Sequence, residues 1–385
     1  MDAYITAISS FLPGEPVANG EIDHYLGEVD RISARTRRII LANNGITSRH
    51  YAIDPATGQP THTNAQLAAS AVRRLPGWSR TAPLQFACLC CGTSSPDQLL
   101  PGHASMVHGE LGTGPCEVVS TAGVCLSGMT ALKYGAMAVA SGMAAQAVAT
   151  GSELASSYMR TDFFTKVNDQ AGKSEGLREQ EHPAFSFEAN FLRWMLSDGA
   201  GALLIEQRPA GPTSLKIEWI ELSSQAHRLA ACMYAGCVKE PDGSLTGWRE
   251  LVRRGSPLGQ GMFAIRQDAR LLNQEVLPTL VGSSLPPIVA KYGLRPEDID
   301  WFLPHYSSGY FREPLGRQLQ AIDFAIPQER WFTNLAAKGN TGSASFHIML
   351  EELVASGRLR SGHRLLGMIP ESGRFSVGYV LLRVV

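Results

Sequence analysis

Little net charge, no long apolar run and no even set of cysteines mark this sequence, and each shortage excludes something. Its 385 residues carry 34 Lys and Arg against 35 Asp and Glu, so no basic or acidic field selects nucleic acid or an anionic membrane as a partner. No stretch approaches the roughly 20 apolar residues of a membrane-spanning helix. The opening MDAYITAISSFLPGEPV reads as a strand and a turn rather than a leader, and the expectation is a soluble, cytoplasmic protein. Seven cysteines is an odd number, which argues against a disulfide framework. Cys88, Cys90 and Cys91 form a CLCC run. No second pair follows to complete a zinc site, so no metal is expected. Leu84, Phe86, Ala87 and Leu89 around them read as a buried strand.

What is present centres on 118–152. A β-rich run (Glu117, Val118, Val119, Ser120) stops at small residues, a single thiol follows at Cys125, and a helical period begins at Leu126, Met129 and Leu132. Lys133 is the only charge before Glu153, and a helix this apolar is buried. A Cys at a helix N-terminus sits at the positive end of the dipole, among unpaired N–H groups. That position is expected to lower its pKa and make it a nucleophile. The small neighbours Ala122, Gly123, Ser127 and Gly128 leave the sulfur approachable. A buried structural Cys is the other reading of Cys125 taken alone.

The rest of the chain reads as α/β. Strands are expected at 3–8, 83–91 and 146–150, with helices over 19–26, 65–75 and 101–111. The segment 161–192 mixes charges, Pro183 and several Phe. It is too long for a simple connector and is read as a cap over a pocket or a subunit contact. Asp198-Gly199 turns into a strand. In the second half a strand is expected over 215–222, a long helix over 263–281, a short strand ending at Pro304-His305, and a helix over 346–356 after GNTGSAS. Each half carries a strand, a small-residue bend with a polar side chain and a buried helix. This suggests two related halves, 1–206 with the cap (about 160–192) and 207–385.

His305 and Asn340 mean little singly, because His is often a satisfied core residue and Asn between glycines is usually a turn. With Cys125 they form a possible Cys/His/Asn set. A thiolate attacks a thioester, and His and Asn side chains then donate hydrogen bonds to a carbonyl oxygen that becomes an enolate. GVCLSGM, SDGAGA, PHYSSGYF, KGNTGSAS and ESGRFSVGYVLL fall in the order seen in the thiolase superfamily, and the chain resembles a β-ketoacyl-acyl-carrier-protein synthase III type condensing enzyme. The resemblance implies a five-layered α-β-α-β-α fold of two similar halves and a homodimer that pairs strand 146–150 across a two-fold axis. It also implies Cys125 as the acylated nucleophile, His305 and Asn340 as the pair acting on the second substrate, and an oxyanion hole from the backbone N–H groups of Cys125 and Gly373. First acylation would then need no general base.

Departures narrow the reading. Primer-condensing members carry a Trp and an Arg that grip the coenzyme A head near the places of Ile39 and Asn43, and an Asn where this chain has Ser308. THTNAQL, FLRWMLSDGAGA, CMYAG, LPHYSSGYF and PESGRFS are similar to the ketosynthase/cyclases that build dialkylresorcinols and 1,3-cyclohexanediones. That likeness implies an acyl chain on Cys125 joined to a β-ketoacyl thioester and closed to a ring. Glu153 is the candidate base for ring closure, or else a hydrogen-bond anchor of its strand end. Ser308 and Phe311 are the expected substrate contacts. Acyl-carrier-protein or CoA thioesters are the expected partners, with no cofactor. The alternatives are a primer-type synthase using malonyl carrier protein, a head-to-head enzyme giving a linear or lactone product, and a non-catalytic carrier-binding subunit.

Overall fold

The structure is a computed structural model that describes residues 2–28, 33–161, 191–211, 213–255 and 263–385. Residues 162–190, which hold nearly all of the expected cap, lie outside them. Nine strands form one sheet: β1 (Tyr4–Phe11), β2 (Cys88–Thr93), β3 (Glu117–Ala122), β4 (Gln146–Glu153), β5 (Gly199–Glu206), β6 (Leu215–Ser224), β7 (Trp301–Pro304), β8 (Arg364–Glu371) and β9 (Ser376–Val384). Their spatial order is β3-β2-β4-β5-β1-β6-β9-β8-β7. The antiparallel pairs Tyr4–Lys216 and Ile5–Leu215 join the two sides. On each side of that junction the first strand lies beside the last, and β4 or β8 follows, then β2 or β7. The first side ends in β3. On the second, the parallel bridge Phe302–Trp331 stands in the same place.

Helices cover both sides of each half. α1 (Asn64–Arg73) and α2 (His103–Leu111) pack on the outer face of the first half. α1 starts where Thr63 Oγ1 accepts the Gln66 N–H and the Gln66 side chain accepts the Thr63 N–H, a reciprocal cap that satisfies two orphan donors. α3 (Ser127–Ala140) lies between the halves, against β2, β4 and β6. α4 (Ala269–Leu277) and α5 (Arg312–Ala321) share the apolar core of the second half's outer face with Phe302, Met368 and Tyr379. α6 (Ser345–Ala355) packs beside α3. α3 and α6 lie between the two sides of this one sheet, so the layers run helix, sheet side, helix, sheet side, helix, as the resemblance implied. Gly128 of α3 sits so close to the turn leading into α6 that a Cβ there would lie 2.2 Å from the Ser343 carbonyl oxygen. Among the described residues no helix is long and apolar enough to cross a membrane.

Some local expectations change. β4 lies between β2 and β5, so the run 146–150 has both edges paired and cannot pair across a two-fold axis. Among the described residues the free edge of this half is β3, whose residues alternate between exposed and half-buried. The helix expected over 263–281 is broken. Arg266–Gln267 form a short strand, and α4 gives way at Pro278 to a wider turn, since proline cannot donate into the helical ladder. The helix expected over 19–26 starts at Ile22. A helix not foreseen, Ala34–Asn44, is capped by Ser33.

Candidate active site

Cys125 lies on the turn between β3 and α3, two residues before the helix begins. The turn is pinned from three sides. Ser127 donates both its N–H and its hydroxyl to the Val124 carbonyl. A Cβ at Gly92 would lie 2.3 Å from the Ser127 carbonyl oxygen. The third contact comes from β8, where Glu371 Oε2 accepts the Val124 N–H at 2.8 Å and the Leu126 N–H at 3.2 Å.

The expected depression of the thiol pKa does not appear. Cys125 is 9% exposed. Burial first, then the carboxylates of Glu371 and Glu153, push its thiol up. The free N–H groups that would favour a thiolate are partly taken, since Glu371 already holds two of them.

His305 continues β7 and donates its N–H to the Met368 carbonyl at 2.8 Å. Its ring is buried, and burial alone pushes its pKa down to about 4, so it is neutral near pH 7. His305 and Cys125 line one cavity, whose walls include Leu272, Val276, Leu277 and Phe311.

Asn340 is held by backbone on both sides. Its N–H donates to Met195 O, and its carbonyl accepts the Ser197 N–H. Its Oδ1 accepts the Gly342 N–H at 3.0 Å, which assigns the remaining amide edge as a donor. Gly342 has φ +52°, and a Cβ there would lie 2.4 Å from Glu153 Oε2, so this position requires glycine on both counts. Asn340, Glu153 and Cys125 line a second cavity, with Leu192, Met195 and Ile265 in its wall.

Glu153 ends β4 and is 3% exposed. Its Oε1 accepts the Ser94 and Ser95 hydroxyls and its Oε2 accepts the Ser343 N–H. Burial nonetheless raises its pKa against these stabilising bonds. The residue is thus both an anchor joining three segments and a group on the cavity wall.

The remaining expected residues divide. Phe311 reaches the first cavity. Ser308 does not line either cavity. Its hydroxyl accepts the Tyr310 N–H and caps the turn Gly309–Phe311, while the neighbouring Ser307 lines both cavities. A Cβ on Gly373 would lie 3.0 Å from Val124 Cγ2, so its backbone stands against the Cys125 turn, and Ser372 beside it also lines both cavities. Sequence reasoning missed Ser307 and Glu371. The runs PHYSSGYF and PESGRFS that contain them were visible, but nothing local distinguishes these residues from their neighbours.

The 3-Oxoacyl-[acyl-carrier-protein (ACP)] synthase III C terminal family model matches residues 289–383. The chain is 23% identical over 381 residues, 99% of each chain, to the beta-ketoacyl-[acyl-carrier-protein] synthase III of Rhizorhabdus wittichii. Over its full length the chain is similar to synthase III proteins. Among solved structures, the chain superposes on AbyA1, described as a tetronic acid condensing enzyme, with a TM-score of 0.74 at 20% identity over 99% of both chains. It superposes on a variant of OleA from Xanthomonas campestris with a TM-score of 0.71 at 18% identity, over 100% of this chain and 98% of that one. At such identities these superpositions speak to the fold.

Proposed function

We propose that this protein is an acyltransferase of the carbon–carbon condensing kind. Cys125 takes an acyl group from a carrier-protein or CoA thioester, releasing the carrier thiol. The C2 carbanion of a β-ketoacyl thioester then attacks the acyl carbon, and the Cys125 sulfur leaves. His305 and Asn340 donate hydrogen bonds to the enolate oxygen of the second substrate, and the Cys125 and Gly373 N–H groups hold the oxyanion of each tetrahedral intermediate. With a 2,3-unsaturated acyl chain, Glu153 accepts a proton from C4 of the β-ketoacyl part, C4 adds to C3 of the acyl chain, and the proton returns to C2 of that chain. This closes a dialkyl- or aryl-alkyl-cyclohexane-1,3-dione that still carries the thioester, a resorcinol precursor.

The observation that carries this reading is that two apolar-walled cavities meet at Cys125, one with His305 and one with Asn340 and Glu153. Two long chains need two such arms, whereas a malonyl extender needs only one. Full-length similarity to synthase III proteins favours the simpler primer-type reaction as the second reading. Incubating the protein with an acyl thioester and either a β-ketoacyl or a malonyl thioester separates them by product mass. A ring product from the β-ketoacyl pair supports the proposal. Turnover with malonyl carrier protein alone overturns it in favour of the primer reaction.

The working unit is read as a homodimer joined along β3. Among the described residues that strand is the free edge of the first half, and an exposed edge is a template for pairing with another chain. Exposed Val118 lies on it, and α3 beside it carries exposed Met137. Light scattering should give the mass of two chains, and Val118→Asp should shift it toward one. A wild-type monomer at micromolar concentration would exclude the dimer.

A further inference from the structure

The nucleophile turn holds a carboxylate that the condensation scheme does not use. Glu371 ends β8, and its Oε2 reaches across to the Val124 and Leu126 N–H groups at 2.8 and 3.2 Å. These are the N–H groups on either side of Cys125, and neither bond uses the Cys125 N–H itself. A Cβ on Gly123 would lie 3.0 Å from Oε2, and one on Gly373 would lie 3.5 Å from Oε1. The carboxylate is therefore wedged between the nucleophile turn and the Gly373 loop, with glycine on both sides making room. Among the described residues no lysine or arginine pairs with it.

A helix N-terminus favours one anion, because its unpaired N–H groups and its dipole point the same way. Here that place is occupied before any substrate arrives. A thiolate forming at Cys125 would be a second negative charge beside the first, in a buried setting where like charges repel strongly.

We propose that Glu371 is a positioning residue that keeps Cys125 a neutral thiol at rest and leaves its Cys125 N–H free for the oxyanion, so that the thiol gives up its proton to His305 only when a thioester is in place. The titratable groups facing Cys125 are Glu371 and Glu153, both negative when ionised, and the neutral imidazole of His305. None of them favours a free thiolate. The reaction balances without a further reagent: the sulfur–carbon bond forms as the proton passes to the imidazole, and the departing carrier thiolate takes that proton back. The proposal rests on the reading of Cys125 as the acylated nucleophile.

The test is the pH profile of Cys125 alkylation by iodoacetamide, with the modified residue located by peptide mass. It needs no acyl substrate, so it stands apart from the acylation reading. Should wild type alkylate as described but take no acyl group, the acylation reading fails and the Glu371 assignment is still measured. Wild type should titrate above the ordinary thiol value of about 8.5. Glu371→Gln keeps an oxygen for the two N–H groups and removes the charge. Its midpoint should fall by about one pH unit, with a roughly tenfold faster reaction at neutral pH. A purely structural role would leave the profile in place once the amide restores the hydrogen bonds. An unchanged midpoint in a Glu371→Gln protein of wild-type melting temperature overturns the proposal. A wild-type midpoint below pH 7 overturns it as well, even if the variant does not fold.

Discussion

Asn340 and Gly342 are tied within one turn: the side-chain oxygen of the first accepts the N–H of the second at 3.0 Å. The amide is thereby turned so that its NH2 is the edge left for the cavity shared with Cys125. Asn340→Asp keeps the acceptor and removes the donor. Acyl-Cys125 should still form, seen as added mass on the intact protein, while condensation falls about a hundredfold or more, as for the loss of an oxyanion-hole donor. If this variant fails to acylate yet condenses a preformed acyl-enzyme normally, the assigned role is wrong.

His305 has a larger part than the sequence led one to expect. With the Cys125 thiol pushed up and the imidazole pushed down to about 4, the resting pair is neutral on both sides, and first acylation needs a proton acceptor. In His305→Ala both acylation and condensation should drop by roughly a hundredfold or more near pH 7. Because the thiol can still ionise in alkali, acylation should recover as the pH rises above 8. A pH-independent, wild-type acylation rate in this variant would show that the thiolate forms unaided.

Glu153→Gln should separate joining from closing. The amide can turn its oxygen to the Ser343 N–H and its NH2 to the Ser94 and Ser95 hydroxyls, which rotate to accept. Folding should survive, and both substrates should be consumed, but the released product should be linear or lactonised. Ring product at the wild-type rate would leave Glu153 an anchor only, and a lowered melting temperature would separate collapse of the pocket from loss of the base.

His347 of α6 predicts acid sensitivity. It is fully buried between Gly128 and Gly201, and neither ring nitrogen has a hydrogen-bond partner among the described residues. Burial lowers its pKa from 6.5 to about 4. Between those values the unfolded chain binds a proton that the native one refuses, so stability present above pH 6.5 is lost as the pH falls toward 4. The loss from this residue is on the order of 3 kcal/mol, and His305 acts in the same direction. His347→Leu should flatten the fall in the urea midpoint between pH 7 and 4.5, and equal falls in variant and wild type would contradict this.

How much the sequence disclosed depended on distance along the chain. Cys125 after a strand and before an apolar helix, His305 at a strand end and Asn340 ahead of α6 could all be read locally, because periodicity and turn residues report on neighbours. The state of the thiol could not. Glu371 lies 247 and 245 residues from the N–H groups it holds, and no local pattern records such a pairing. The strand at 146–150 was legible as buried, but burial alone cannot tell a central strand from one that a second chain covers. Ser308 was placed in the site for its position in the motif, and its hydroxyl instead caps the turn Gly309–Phe311.

Tyr4 and Ile5 pair with Lys216 and Leu215 and stitch the two halves into one ladder. Cys125, His305 and Glu153 stand at strand ends or on the turns beside them, and Asn340 on the turn ahead of α6, whereas the walls of the two cavities draw on residues outside the ladder, among them Leu192, Met195, Leu272 and Val276. A descendant of this chain could therefore take longer, shorter or aromatic substrates by exchanging those wall residues, while the bond-making apparatus passed unaltered from one lineage to the next.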